Sequence, residues 1–123
     1  MSKTGLSLVL LLASMGTALA QDRLITPTLF VIAPDNFACN LTNVSEKAGT
    51  AHVVIISNGA VLEDSGEITV EPQNTANYTV SGPAKGGPVY CDFTIDSKKS
   101  YRGDAKLFHS GANDSDFLVI AAQ

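Results

Sequence analysis

An antiparallel β-sandwich is the fold class this chain predicts, and three observations predict it. The stretch Pro88–Asp96 alternates strictly, with Val89, Cys91, Phe93 and Ile95 on one side and Tyr90, Asp92, Thr94 and Asp96 on the other. Period two marks a half-buried strand. Turn signals separate such runs about every eight to twelve residues, and no segment of ten or more residues after position 20 carries a helical stripe. Seven to eight short strands in two packed sheets satisfy all three.

The N-terminus is read separately. Lys3 gives a short positive region, Leu6–Met15 an apolar run, and Ala18-Leu19-Ala20 the small-residue pattern of a cleavage site. Residues 1–20 are therefore expected to be a secretory signal peptide, cut after Ala20. The apolar run is too short to span a hydrocarbon core of about 30 Å, and no cysteine at the cut offers a lipid anchor. The remaining 103 residues make one domain, with a polar lead-in at 21–28 and the sandwich at 29–123. Seven cationic side chains stand against twelve acidic ones in it, a formal charge of −5. That speaks against a nucleic-acid partner or docking on anionic lipid. The expected location is secreted or periplasmic.

The elements follow in order. Leu29–Ala33 is a first strand, closed by the turn residues Pro34-Asp35-Asn36. Phe37–Ser45 places Phe37, Cys39 and Leu41 inward; its alternation slips near Asn43, where a bulge or the strand's end is expected. Thr50–Ser57 contains Val53–Ile56, apolar without alternation, which predicts a central strand covered on both faces. Asn58-Gly59 is a hairpin turn. Ala60–Glu63 pairs back, Asp64-Ser65-Gly66 turns again, and Glu67–Glu71 follows with Ile68 and Val70 inward. Thr75–Ser81 points Ala76, Tyr78 and Val80 inward. The flexible Gly82–Gly87 leads into the Cys91 strand. Tyr101–Phe108 places Arg102, Asp104 and Lys106 outward, and Phe117–Ala122 is the last strand.

Two cysteines allow one intramolecular pairing, and export provides an oxidising compartment. A Cys39–Cys91 bridge would tie the two sheets through the core and close 53 residues, worth roughly 4 kcal/mol by loop entropy. Free thiols or an intermolecular bond are the alternatives.

This layout resembles an immunoglobulin-like sandwich of the kind found in small exported bacterial proteins. Cys39 matches the cysteine of that family's second strand and Cys91 that of its sixth. Ile68-Thr69-Val70-Glu71-Pro72 followed by Tyr78-Thr79-Val80 is similar to the proline-turn hairpin of bacterial modules.

Chemistry is sparse. His52 and His109 lack ligand spacing, and both methionines leave with the signal, so no metal site is expected. No Gly-x-Ser-x-Gly elbow or phosphate loop occurs. Asp92 and Asp96 lie about 13 Å apart along one strand, too far for a glycosidase pair. Catalytic, cofactor and metal residues are accordingly all expected to be none. Arg102-Gly103-Asp104 is the adhesion tripeptide, but it falls inside a strand rather than at a loop tip. Four Asn-x-Ser/Thr sequons begin at Asn40, Asn43, Asn77 and Asn113. The expected function is a non-enzymatic binding or structural module for a protein or cell-envelope partner. It would act through loops, an edge strand or a sheet face, with Lys85, Arg102, Asp104, Lys106, Asn113 and Asp114 as the candidate surface. The alternatives are a small hydrolase or metal enzyme built on His52 and His109, and adhesion through Arg102–Asp104.

Overall fold

The computed structural model describes residues 21–109 and 117–123. The signal-peptide segment, Asn113 and Asp114 lie outside the described residues.

Nine strands are described: β1 Asp22–Ile25, β2 Leu29–Val31, β3 Asn36–Asn43, β4 Gly49–Ser57, β5 Ala60–Val70, β6 Thr75–Ser81, β7 Gly87–Ile95, β8 Tyr101–Phe108 and β9 Phe117–Ala121. All pair antiparallel. One sheet runs β1-β7-β4-β5, with β2 also on β7; the other runs β6-β3-β8-β9. The facing sides of the two sheets are the apolar sides of the alternating runs. Phe37, Cys39 and Leu41 from β3 meet Val53 and Ile55 from β4 and Val89, Cys91, Phe93 and Ile95 from β7. Each large aliphatic or aromatic side chain buried this way contributes about 1.5–3 kcal/mol. Cys39 and Cys91 form the disulfide, Cα–Cα 5.8 Å, and neither residue has any exposed surface. It joins the middle of one sheet to the middle of the other, as the two alternating cysteine runs predict.

Five local outcomes correct or complete the sequence reading. First, part of the polar lead-in is a strand: Asp22–Ile25 pairs with β7, Leu24 is buried, and the Thr26 hydroxyl accepts the Cys91 amide at 2.9 Å. Second, Asp64-Ser65-Gly66 is not a turn between two strands. It is a bulge inside one strand, with Gly66 at φ +65° and the β4 partner stepping from His52 to Val54. The Val53 amide left over by the step donates to Ser65 Oγ at 2.8 Å. Third, β3 ends at Asn43, one of the two outcomes the slip in its alternation predicts. Asn43 faces inward and is fully buried because its amide finds partners there. Fourth, β4 is central, but only one of its faces is covered by the other sheet. Val54 and Ile56 stay half-buried on the outside. Fifth, β8 pairs with β3 and β9. In a constant-type immunoglobulin domain the last strand lies beside the sixth; here the chain changes sheets at a 3-10 turn, Lys98–Ser100, capped by Ser97.

Candidate binding face

Two surfaces collect candidate side chains. The larger is the outer face of the β1/β2–β7–β4–β5 sheet. Val61 sits opposite Ile56, and Ile56 opposite Tyr90. Two residues before Tyr90, on the same face, Pro88 sits opposite Phe30 of β2. The row crosses four strands, about 14 Å at the usual strand spacing. Phe30 is 66% exposed and Val61 58%. The Phe30 ring lies over Gly86, where a Cβ would strike it, with Ile32 alongside. Gly86 has φ +80°, so the position suits glycine on both counts. Single exposed apolar residues are ordinary, but a contiguous row is not.

Charges border that row. Arg23 pairs with Asp92 across β1 and β7, which raises the guanidinium pKa. His52 Nε2 pairs with Asp64 Oδ1 across β4 and β5. Asp64 is held below the usual carboxylate range, first by the Gly66 amide at 2.9 Å and then by His52. Lys85, from the sequence-read surface, is exposed next to Gly86 at the apolar end.

The smaller surface is a cleft of about 510 Å³ where β8 begins beyond the reach of β9. Leu24, Tyr101 and Gly103 line it with Lys98, Arg102 and Asp104. So Arg102 and Asp104 are brought together, and Lys106 continues their side of β8, opposite Val119. Lys85 belongs to the other face. The Arg102 Nη1 donates to the Tyr101 carbonyl at 2.9 Å, and Asp104 accepts from Asn40 Nδ2 at 2.9 Å. The adhesion tripeptide is therefore mid-strand, with Gly103 buried and its Asp engaged. Burial, and secondarily Asp96, pushes the Tyr101 phenol pKa up.

The two histidines do not converge. His52 is on β4 of one sheet; His109 follows β8 of the other and meets Asp35 at 2.8 Å. Among the described residues no three His, Cys, Asp or Glu side chains gather as a metal site would need. No helix among them is long and apolar enough to cross a membrane. Of the sequons, Asn43 is fully buried, while Asn40 and exposed Asn77 share a hydrogen bond on the outer face of the β3 sheet.

Sequence reasoning missed Phe30, Ile56, Val61 and Tyr90. The signal was the unalternating run Val53–Ile56. Its second apolar side, Val54 and Ile56, is only half-buried among the described residues.

No family model matches the chain, and no curated protein matches it. Among solved structures, the fold is similar to that of Thermotoga maritima 1070. The TM-score is 0.59 at 8% sequence identity, covering 85% of this chain and 94% of that one. At that identity the likeness is one of fold alone.

Proposed function

We propose that this protein is an exported, non-enzymatic binding module that receives a protein partner of the cell envelope on the outer face of the β1/β2–β7–β4–β5 sheet. One observation carries the reading: the apolar row Phe30–Pro88–Tyr90–Ile56–Val61, exposed at both ends and half-buried between, laid across four hydrogen-bonded strands. A buried disulfide suits an oxidising compartment, in keeping with the signal-like N-terminus. We read the fold as an immunoglobulin-like sandwich whose last strands have changed sheets. In it β3, β4 and β7 hold the second-, third- and sixth-strand positions.

The physical case is preorganisation. The row stands on strands locked by ladders and by the disulfide, so little conformational entropy remains to be lost on binding. Aromatic residues at the centre of a dry patch, ringed by charges, are the usual anchors of an interface. Tyr90, in the middle of the row, fills that role and Phe30 extends it at one end; Arg23–Asp92, His52–Asp64 and Lys85 border it.

The test uses the oxidised chain as bait against the native exported fraction. The expected result is a specific partner whose capture falls at least about tenfold for Phe30→Asp, a loss of 1.4 kcal/mol or more. The thermal midpoint should hold, because Phe30 is largely in solvent. Equal capture by the parent and Phe30→Asp, or none by either, refutes the reading.

A further inference from the structure

We infer that the chain pairs with a second copy of itself along β9, joining two four-stranded sheets into one of eight strands. The inference is independent of the binding face, which lies on the other sheet.

Each sheet has two edges, and two of the four are guarded. β5 is broken by two register steps, carries the Gly66 bulge and presents Glu63, Asp64 and Glu67. A copy paired there would set acids against acids. β1 and β2 are four and three residues long and interrupted at Pro27. β6 is regular and unguarded, but its exposed side chains are the polar Thr75, Asn77, Thr79 and Ser81, so a copy paired there would bury little apolar surface. Bulges, charge, proline and short length are the devices that keep edges from pairing. β9 has none of them. Phe117–Ala121 contains no charge, proline or glycine, and its register with β8 is unbroken over five pairs. Leu118 and Val119 are 49% and 48% exposed.

Among the described residues β9 has a strand neighbour on one side only. Just past its end, Gln123 exchanges both main-chain hydrogen bonds with Ile25, at 2.9 and 3.1 Å. That stitches the two sheets at one point and, among the described residues, leaves the outer flank of residues 117–121 without a strand neighbour. Open main-chain groups in a row call for an extended segment as partner.

The register follows from parity. Side chains alternate, so a continuous sheet must pair odd positions with odd. A two-fold axis through Val119 does this with the greatest overlap: 119 against 119, 118 against 120, 117 against 121. Leu118, which sits opposite Leu107 on the core side of the sheet, then meets Ile120 of the other copy. Every new pair is apolar. Charge permits it as well. The nearest flanking cation, Lys106, sits opposite Val119. The two Lys106 residues would stand three strand spacings apart, about 14 Å, beyond the screening length of about 8 Å. β9 is thus the edge where apolar exposure and charge both favour a second copy, and the closed pair is isologous.

The test is the oligomeric state of the exported, oxidised chain by light scattering across a concentration series. The expected result is a dimer that Val119→Lys converts to monomer with an unchanged circular-dichroism spectrum, while Val61→Lys on the guarded β5 edge leaves it dimeric. Opposed positions in an antiparallel pair lie about 4.5–5.5 Å apart at Cα, within disulfide range. Val119→Cys should therefore yield a reducible covalent dimer, and Asp104→Cys should not. A parent chain that stays monomeric at the highest concentration, or Val119→Cys that fails to cross-link, overturns the proposal.

Discussion

Replacing Asn43 by alanine should remove about 3 kcal/mol of stability, far more than a polar residue at a strand end usually carries. Asn43 has no exposed surface. Its Nδ2 donates to the Val70 carbonyl at 2.9 Å and the Lys47 carbonyl at 2.8 Å. Its Oδ1 accepts from the Ser45 amide at 2.9 Å and the Ser45 hydroxyl at 2.7 Å. One side chain thereby ties β3, the turn after it and the end of β5. Alanine keeps the main-chain bonds to Asn74 and Gln73 but loses all four side-chain bonds. Val70 is buried, so its orphaned carbonyl costs about 1–3 kcal/mol; the other groups can turn to water and cost about 0.5–1 kcal/mol each. Urea unfolding with an unchanged m-value is the assay. Asn43→Asp sharpens it. The carboxylate keeps the shape and the Ser45 bonds but points a buried negative charge at two carbonyls. Its folded-state pKa should therefore be raised, so stability is highest at low pH and lost as pH rises. A loss below about 1 kcal/mol for alanine, or a pH-independent Asn43→Asp, would refute the reasoning.

Other consequences follow from the same packing. Opening the disulfide by a Cys39→Ala, Cys91→Ala double substitution should cost about 4 kcal/mol from the entropy of the freed loop; with both sulfurs buried, the parent should resist reductant until it unfolds. A Cβ at Gly49 would collide with the Tyr101 hydroxyl, so Gly49→Ala should lose about 1–3 kcal/mol, and Tyr101→Phe should restore part of it in a double-mutant cycle. Asp64, held low by the Gly66 amide and His52, contributes stability that is present above the unfolded carboxylate pKa and lost as pH falls through the folded one; Asp64→Asn should flatten the acid limb of the stability profile. Tyr101 works in the opposite sense: its raised pKa means stability is lost as pH climbs through it above about 10, and Tyr101→Phe should remove that alkaline loss.

How much was readable in the chain is best judged from single residues. Alternation in β7 and β8 named the buried face of both strands correctly, from Val89 to Ile95 and from Tyr101 to Ala105, because period two is a local property of the backbone. With only two cysteines, their pairing was determined as soon as the bridge was intramolecular. Asp64-Ser65-Gly66 was misread, since the same residues serve a hairpin turn and a bulge; the partner strand chooses between them. Asn43 looked like a defect in the pattern because the carbonyls that satisfy its amide belong to residues 47 and 70.

By itself, then, the sequence determined which side of β3, β6, β7 and β8 is dry, where most strands stop, and that one covalent tie could join them. Only the tertiary structure decided that β8 lies beside β3, that β9 ends up on an edge, and that Phe30, Tyr90, Ile56 and Val61 fall in one row. The reason is physical. Burial is written locally in the spacing of apolar residues, whereas neighbourhood within a sheet is settled by contacts between segments far apart in the chain, which no local spacing encodes.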